Sequence, residues 1–128
     1  MTSNVGTLTV TGAGGITAAF KLLRGTDKGQ PIVELRLVKG DFGVCKKPRA
    51  RRTGATAKTV RQLWGDGKGR FRTRGRYAAA TVRGTRWLTA DRCDGTNVKV
   101  VRGVIQVSDF PQRRQVTVPA GRSYLARP

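Results

Sequence analysis

The chain contains no histidine, so it lacks the side chain that most often serves as a general base. Ser-His and Cys-His nucleophile arrangements therefore cannot be built from its 128 residues. Cysteine is nearly as scarce. Cys45 and Cys93 are the only two and show no Cys-x-x-Cys spacing, which leaves a zinc site short of ligands and thioredoxin-type redox work without its motif. Acids number seven, so carboxylate chemistry would rest on Glu34 or on one of six aspartates. Asp27, Asp41, Asp66 and Asp94 sit beside Gly or in Gly-rich turns, where Asp has an ordinary structural role; only Asp91 and Asp109, at strand ends, fall outside that account. No nucleophile, base and orienting group can be assembled on a spacing argument, and the sequence reads as non-enzymatic, with no metal and no cofactor implied. Long apolar runs are also missing. The longest, Ile16–Phe20 and Tyr77–Val82, fall far short of the ~18–20 residues of a spanning helix, so no membrane span is expected.

Positive charge is what the chain has in abundance. Twenty-six Lys and Arg against seven acids leave a net +19, a density that repels itself and makes a polyanion a standing candidate partner. The plain alternative is coding bias, since 18 of the 26 are Arg in a chain also rich in Gly and Ala. Leu, Ile, Val and Phe recur in short alternating runs, which marks a folded chain and not a disordered polycation.

Gly and Asp-Gly punctuation divides the sequence into period-2 runs rich in β-branched residues, the pattern of a single all-β domain over residues 1–128 with many turns. Strands are expected over Gly6–Thr11, Thr17–Leu23, Ile32–Lys39, Val60–Trp64, Arg70–Arg76, Ala79–Arg83, Arg86–Ala90, Thr96–Val101, Val104–Asp109, Gln115–Val118 and Ser123–Ala126. No segment reads as a helix. Asp94-Gly95 between two such runs predicts a two-residue hairpin turn. The run Gly65–Arg70 looks superficially like a phosphate-cradling loop but lacks the Gly-Lys-Ser/Thr ending, and is read as a flexible turn after Trp64. Asp91–Asp94 has too few ligands for a calcium loop.

Two basic features form the candidate polyanion site. Between residues 46 and 59 periodicity disappears, and Lys46, Lys47, Arg49, Arg51 and Arg52 fall in what reads as a mobile basic loop. Arg70, Arg72, Arg74 and Arg76 alternate with other residues, so a strand would project all four guanidinium groups from one face. Their separation, roughly 6.5–7 Å for residues two apart, is comparable with the phosphate spacing of an extended nucleic-acid or teichoic-type backbone. The competing reading is the solvated outer face of an edge strand, where charge discourages aggregation. Trp64, Phe71, Tyr77 and Trp87 are candidate stacking residues, with core packing as the ordinary alternative. Cys45 and Cys93 either pair, closing a loop worth roughly 4 kcal/mol in chain-entropy terms, or pack as two buried thiols.

From Tyr77 onward the chain resembles the FecR-like domain, a β-rich module of bacterial extracytoplasmic proteins. The likeness is carried by Ala80–Trp87 (ATVRGTRW), Gly95-Thr96, Val98–Val107 (VKVVRGVIQV) and Val116–Gly121 (VTVPAG), similar in order and spacing to the family's Val-Arg-Gly-Thr core, its strand-Gly-strand segment and its Ala-Gly ending. Residues 77–128 hold the best of it, and the Gly65–Arg76 segment with the two cysteines is similar to a variant in secreted proteins of high-GC Gram-positive bacteria. The resemblance implies a compact β-sandwich, β-hairpin or β-helix-like fold, an extracytoplasmic setting and a Cys45–Cys93 bridge. It also gives structural roles to Val82, Arg83, Gly84, Thr85, Trp87, Gly103 and Gly121: Gly84 permits a change of direction, Val82 and Trp87 enter the core, and Arg83 either bonds neighbouring carbonyls or faces solvent. The start of the chain lacks the layout of a signal peptide, so an exported domain would be a piece of a longer protein. The expected function is a non-catalytic cell-envelope or secreted domain meeting protein or an anionic cell-wall polymer. The alternative is a cytoplasmic, sequence-independent nucleic-acid-binding protein using the loop and ladder.

Overall fold

The computed structural model describes residues 2–3, 6–12, 14–47 and 57–128. In chain order its strands are β1 (Thr2–Ser3), β2 (Gly6–Thr11), β3 (Phe20–Asp27), β4 (Gln30–Leu37), β5 (Thr59–Arg74), β6 (Ala78–Arg92), β7 (Gly95–Arg102), β8 (Val104–Asp109), β9 (Arg114–Pro119) and β10 (Ser123–Ala126). Apart from one short 3₁₀ turn at Phe42–Lys46, the described regular structure is all β, as the period-2 runs require. All ten strands belong to one mixed sheet.

The spine of the sheet is the β5–β6 hairpin, whose strands are 16 and 15 residues long. Each changes neighbours halfway. Over Trp64–Gly69 β5 pairs antiparallel with β2, while over Phe71–Arg74 it pairs in parallel with β4. Likewise β6 pairs with β8 over Ala78–Thr81 and with β7 over Arg86–Arg92. Two arms therefore share the hairpin: β1-β2-β5-β6-β7-β10 and β3-β4-β5-β6-β8-β9. The changeover coincides with a register shift between Lys68 and Phe71 in β5 and with Gly84 in β6, whose φ of +132° side chains rarely adopt. Such irregularities sharpen local twist, so a long strand can serve two arms. Leu8 and Val98 from the first arm and Leu35, Ile105 and Val107 from the second meet in one apolar cluster with Leu63, Phe71, Val82 and Trp87 of the hairpin.

Several boundaries differ from the sequence expectation. Val60–Trp64 and Arg70–Arg76 are parts of one strand that ends at Arg74, and Gly65–Gly69 between them is strand and not turn. The reason is steric. A Cβ on Gly67 would lie 2.1 Å from the Thr7 carbonyl oxygen, and one on Gly65 would lie 2.7 Å from the Trp87 ring, so these glycines allow β2 and the indole to approach β5. Ala79–Arg83 and Arg86–Ala90 are likewise one strand, and β3 begins at Phe20 instead of Thr17. The hairpin at Asp94-Gly95 forms, but its turn residues are Cys93 and Asp94; Gly95 opens β7 opposite Arg92. Another tight turn, Lys28-Gly29, has φ of +51° and +79°, the backbone of a type I′ hairpin between β3 and β4.

Cys45 and Cys93 form a disulfide with their Cα atoms 5.3 Å apart, joining the 3₁₀ turn to the β6–β7 turn. Of the basic loop, Lys46 closes the 3₁₀ turn, Ala57 is buried and Thr59 opens β5; Arg49, Arg51 and Arg52 lie outside the described residues.

Candidate basic groove

Pairing registers place side chains of the second arm in rows. Glu34, Arg72, Thr81, Gln106 and Thr117 are successive cross-strand partners, and the next row is Arg36, Arg74, Ala79, Ser108 and Gln115. These rows lie on the face opposite Leu35, Phe71, Ala80 and Val107, so they form the outer surface of the arm. Pairing thus puts Arg72 and Arg74 on one face, and Arg70, within the register shift, lines a hollow beside Arg83. Arg76 falls beyond the end of β5, with its guanidinium over the Phe42 ring at 4.4 Å. Nor is this part of β5 an edge, since Phe71–Arg74 lies between β4 and β6.

Part of the ladder is neutralised within the fold. Glu34 is 2% exposed; its Oε1 accepts from Arg72 Nε at 2.8 Å and its Oε2 from Arg36 Nη2 at 2.8 Å, with Arg74 Nη1 at 3.9 Å from Oε1. Burial alone would raise the Glu34 pKa, but the hydrogen bonds and charges of Arg72 and Arg36 outweigh it and hold the carboxyl below its ordinary range. Arg70 Nε donates to the Pro31 carbonyl at 2.9 Å, and Arg74 lies over the Phe110 ring at 4.7 Å.

Three hollows lie end to end on this surface. The first, about 390 Å³, is lined by Gln30, Gly69, Arg70 and Arg83. The second, about 520 Å³, shares Arg83 and lies where Asp27 and Lys28 of the β3–β4 turn come over Thr81 and Gln106. The third, about 510 Å³, shares Gln115 with the second and is bounded by Arg74, Phe110, Arg113 and Arg114. Together they make a groove bordered by six cations, Lys28, Arg70, Arg74, Arg83, Arg113 and Arg114. Arg114 donates to the Tyr124 hydroxyl at 3.2 Å, which keeps the guanidinium pKa above its ordinary value. Of the two acids on the groove, Asp109 is buried and already accepts from the Tyr124 hydroxyl at 2.6 Å and from Gln112 N at 3.2 Å.

The sequence pointed to only part of this site. Lys28, Arg113, Arg114, Gln106 and Gln115 were not singled out, because nothing local marks a side chain that joins a site through strand pairing. Arg83 was expected as a motif residue; it is exposed on the outer face and shared by two hollows. The other motif residues have structural places. Val82 and Trp87 are in the core, Gly84 marks the change of partner in β6, Gly103 makes the β7–β8 turn and Gly121 donates its N–H to the Val100 carbonyl at 2.9 Å. Thr85 is buried, and among the described residues its hydroxyl is the buried side-chain polar atom without a hydrogen-bond partner.

The two acids that sequence reasoning left open are both engaged. Asp91, 1% exposed, accepts from Arg61 Nε at 2.7 Å, Thr96 Oγ1 at 2.6 Å and Arg76 N at 2.8 Å, which ties β5, β6 and β7 to the turn after β5. Of the aromatic candidates, Phe71 and Trp87 are core, with Trp87 Nε1 donating to Thr73 Oγ1 at 2.9 Å. Tyr77 packs against the core, and half-buried Trp64 faces outward on the first arm under Arg86 at 5.6 Å. Compared with family models, with curated proteins and with solved structures, the chain matches none.

Proposed function

We propose that this chain is a non-catalytic binding domain of the extracytoplasmic space that holds an extended anionic polymer along the groove of its second arm. The observation that carries the reading is the continuity of three hollows bordered by Lys28, Arg70, Arg74, Arg83, Arg113 and Arg114. Rows two residues apart along a strand are roughly 6.5–7 Å apart, so a polymer lying along the strands meets a cation at intervals similar to its own charge repeat. The Cys45–Cys93 disulfide supports the compartment, since such bonds persist where the environment is oxidising. The resemblance of residues 77–128 to FecR-like domains points the same way, and we keep it as part of the proposal.

The test is the salt dependence of binding to a phosphodiester polymer. Each phosphate neutralised contributes roughly 0.7–0.9 to the slope of log affinity against log salt, so a groove of this length gives a slope of about 3 or more. Replacing Arg83 and Arg113 with Ala lowers that slope by about 1 to 2, whereas replacing Lys99, on the outside of β7, leaves it nearly unchanged. Absence of any salt-dependent binding, or equal effects of the two replacements, overturns the reading.

A further inference from the structure

The middle hollow differs chemically from the two beside it. Its neighbours have two and three arginines in their linings, with the Phe110 ring in one of them. The middle one brings together the Thr81 hydroxyl, the amides of Gln106 and Gln115, the charges of Lys28 and Arg83, and the exposed Val104 side chain. Asp27 is its acid, and none of its lining residues is aromatic. At about 520 Å³ it has room for a small polar unit, and the type I′ turn at Lys28-Gly29 gives it a roof.

The donor set identifies what fits. Amides, hydroxyls and a carboxylate pair with the alternating donor and acceptor faces of vicinal alcohols, while Lys28 and Arg83 suit a phosphate. A nucleobase wants an aromatic plane to stack on, and this lining supplies none, Val104 being its one large apolar side chain. Thr85 also lines the hollow, but its hydroxyl is buried and closed off from it. Arg83 lies between this hollow and the next, where the following phosphate of a polymer would pass.

We propose that the hollow under the β3–β4 turn is a subsite for one polyol-phosphate unit, so that the groove selects a polyol-phosphate polymer over a nucleic acid. This rests on the groove reading and names the class of polymer it takes. Gln106 and Gln115 choose the unit through its hydroxyls, and Lys28 and Arg83 hold its phosphates.

The experiment compares two probes of matched charge at physiological salt, a poly(glycerol phosphate) and an oligo(dT), together with glycerol 3-phosphate as the single unit. The glycerol phosphate polymer binds about tenfold or more tightly than the oligo(dT), and the double variant Gln106→Ala, Gln115→Ala removes the preference by weakening the glycerol phosphate polymer about tenfold more than the oligo(dT). Both glutamines are exposed, so the variant keeps the fold. Arg113→Ala with Arg114→Ala, outside the hollow, weakens both polymers alike. In amide spectra, glycerol 3-phosphate shifts Thr81, Thr85 and Gln106 and leaves the Phe110–Arg113 turn unmoved. Equal binding of the two polymers, or a preference that survives the glutamine variant, overturns the subsite while the groove stands. Failure of both polymers to bind overturns the groove and the subsite together.

Discussion

Glu34 is the one glutamate of the chain, and its surroundings explain why it sits where Arg72 and Arg74 would otherwise repel each other. A carboxylate with 3% of its side chain exposed is costly unless its charge is matched, and here guanidinium groups of β4 and β5 do so. Glu34→Gln keeps the shape but removes the charge, and at neutral pH it destabilises by about 2 kcal/mol, below the range for fully buried pairs because Arg36 and Arg72 keep solvent access. The pH dependence has a definite sign. A pKa lowered on folding from the ordinary 4.5 gives stability that is fully present above that value and is lost as pH falls through the folded one. Chemical denaturation from pH 7 down to acid therefore finds the gap between wild type and Glu34→Gln narrowing below the ordinary glutamate range, and a gap independent of pH contradicts the assignment.

At the scale of elements, the glycines between Trp64 and Arg70 show how a local rule misleads. Alternating Gly, Asp and Lys reads as a turn, yet β5 runs through these residues because β2 approaches on one side and Trp87 packs beneath. Gly67→Ala places a methyl group against the Thr7 backbone, and the expected result is a loss of about 2–4 kcal/mol with faster amide exchange across Thr7–Thr11. A surface turn would tolerate the same change with little cost. Most short strands were legible from alternation, as in Val33, Leu35 and Leu37 facing the core and Arg36 facing out. Continuity of the two long strands was not legible, since bulges and changes of partner leave gaps in the periodicity that look the same as turns.

For the whole molecule, net charge and covalent closure oppose each other. A chain of +19 repels itself in the compact state, and the Cys45–Cys93 bond, closing a separation of 48 residues, restricts the unfolded ensemble by roughly 4 kcal/mol. Reduction at low salt is thus expected to lower unfolding stability by about that amount. Added salt or a polyanion returns part of it by screening, as urea unfolding with and without reductant measures. A reduced protein as stable as the oxidised one at low salt would mean that the bridge contributes little. Lys21, Arg24 and Lys28 of the β3–β4 hairpin and Arg113 and Arg114 of the β8–β9 hairpin bring the same charge to the rim of the second arm, although long stretches of sequence separate them.

By itself the sequence determined an all-β chain, because a period of two is a property of neighbouring residues and persists in any strand pairing. It determined that alternate arginines from Arg70 share a strand face and that no histidine-dependent chemistry is available, since these follow from order and composition alone, whereas Trp87 stayed open between stacking and the core, where the fold buries it. Only the tertiary structure decided that Cys45 and Cys93 meet, that Glu34 neutralises part of the arginine row, and that Lys28, Arg83, Gln106 and Gln115 border one hollow. Those outcomes depend on which strands become neighbours. The parallel pairing of β4 with β5 and the shift of β6 from β7 to β8 are set by long-range packing and close backbone approach, which no local pattern encodes.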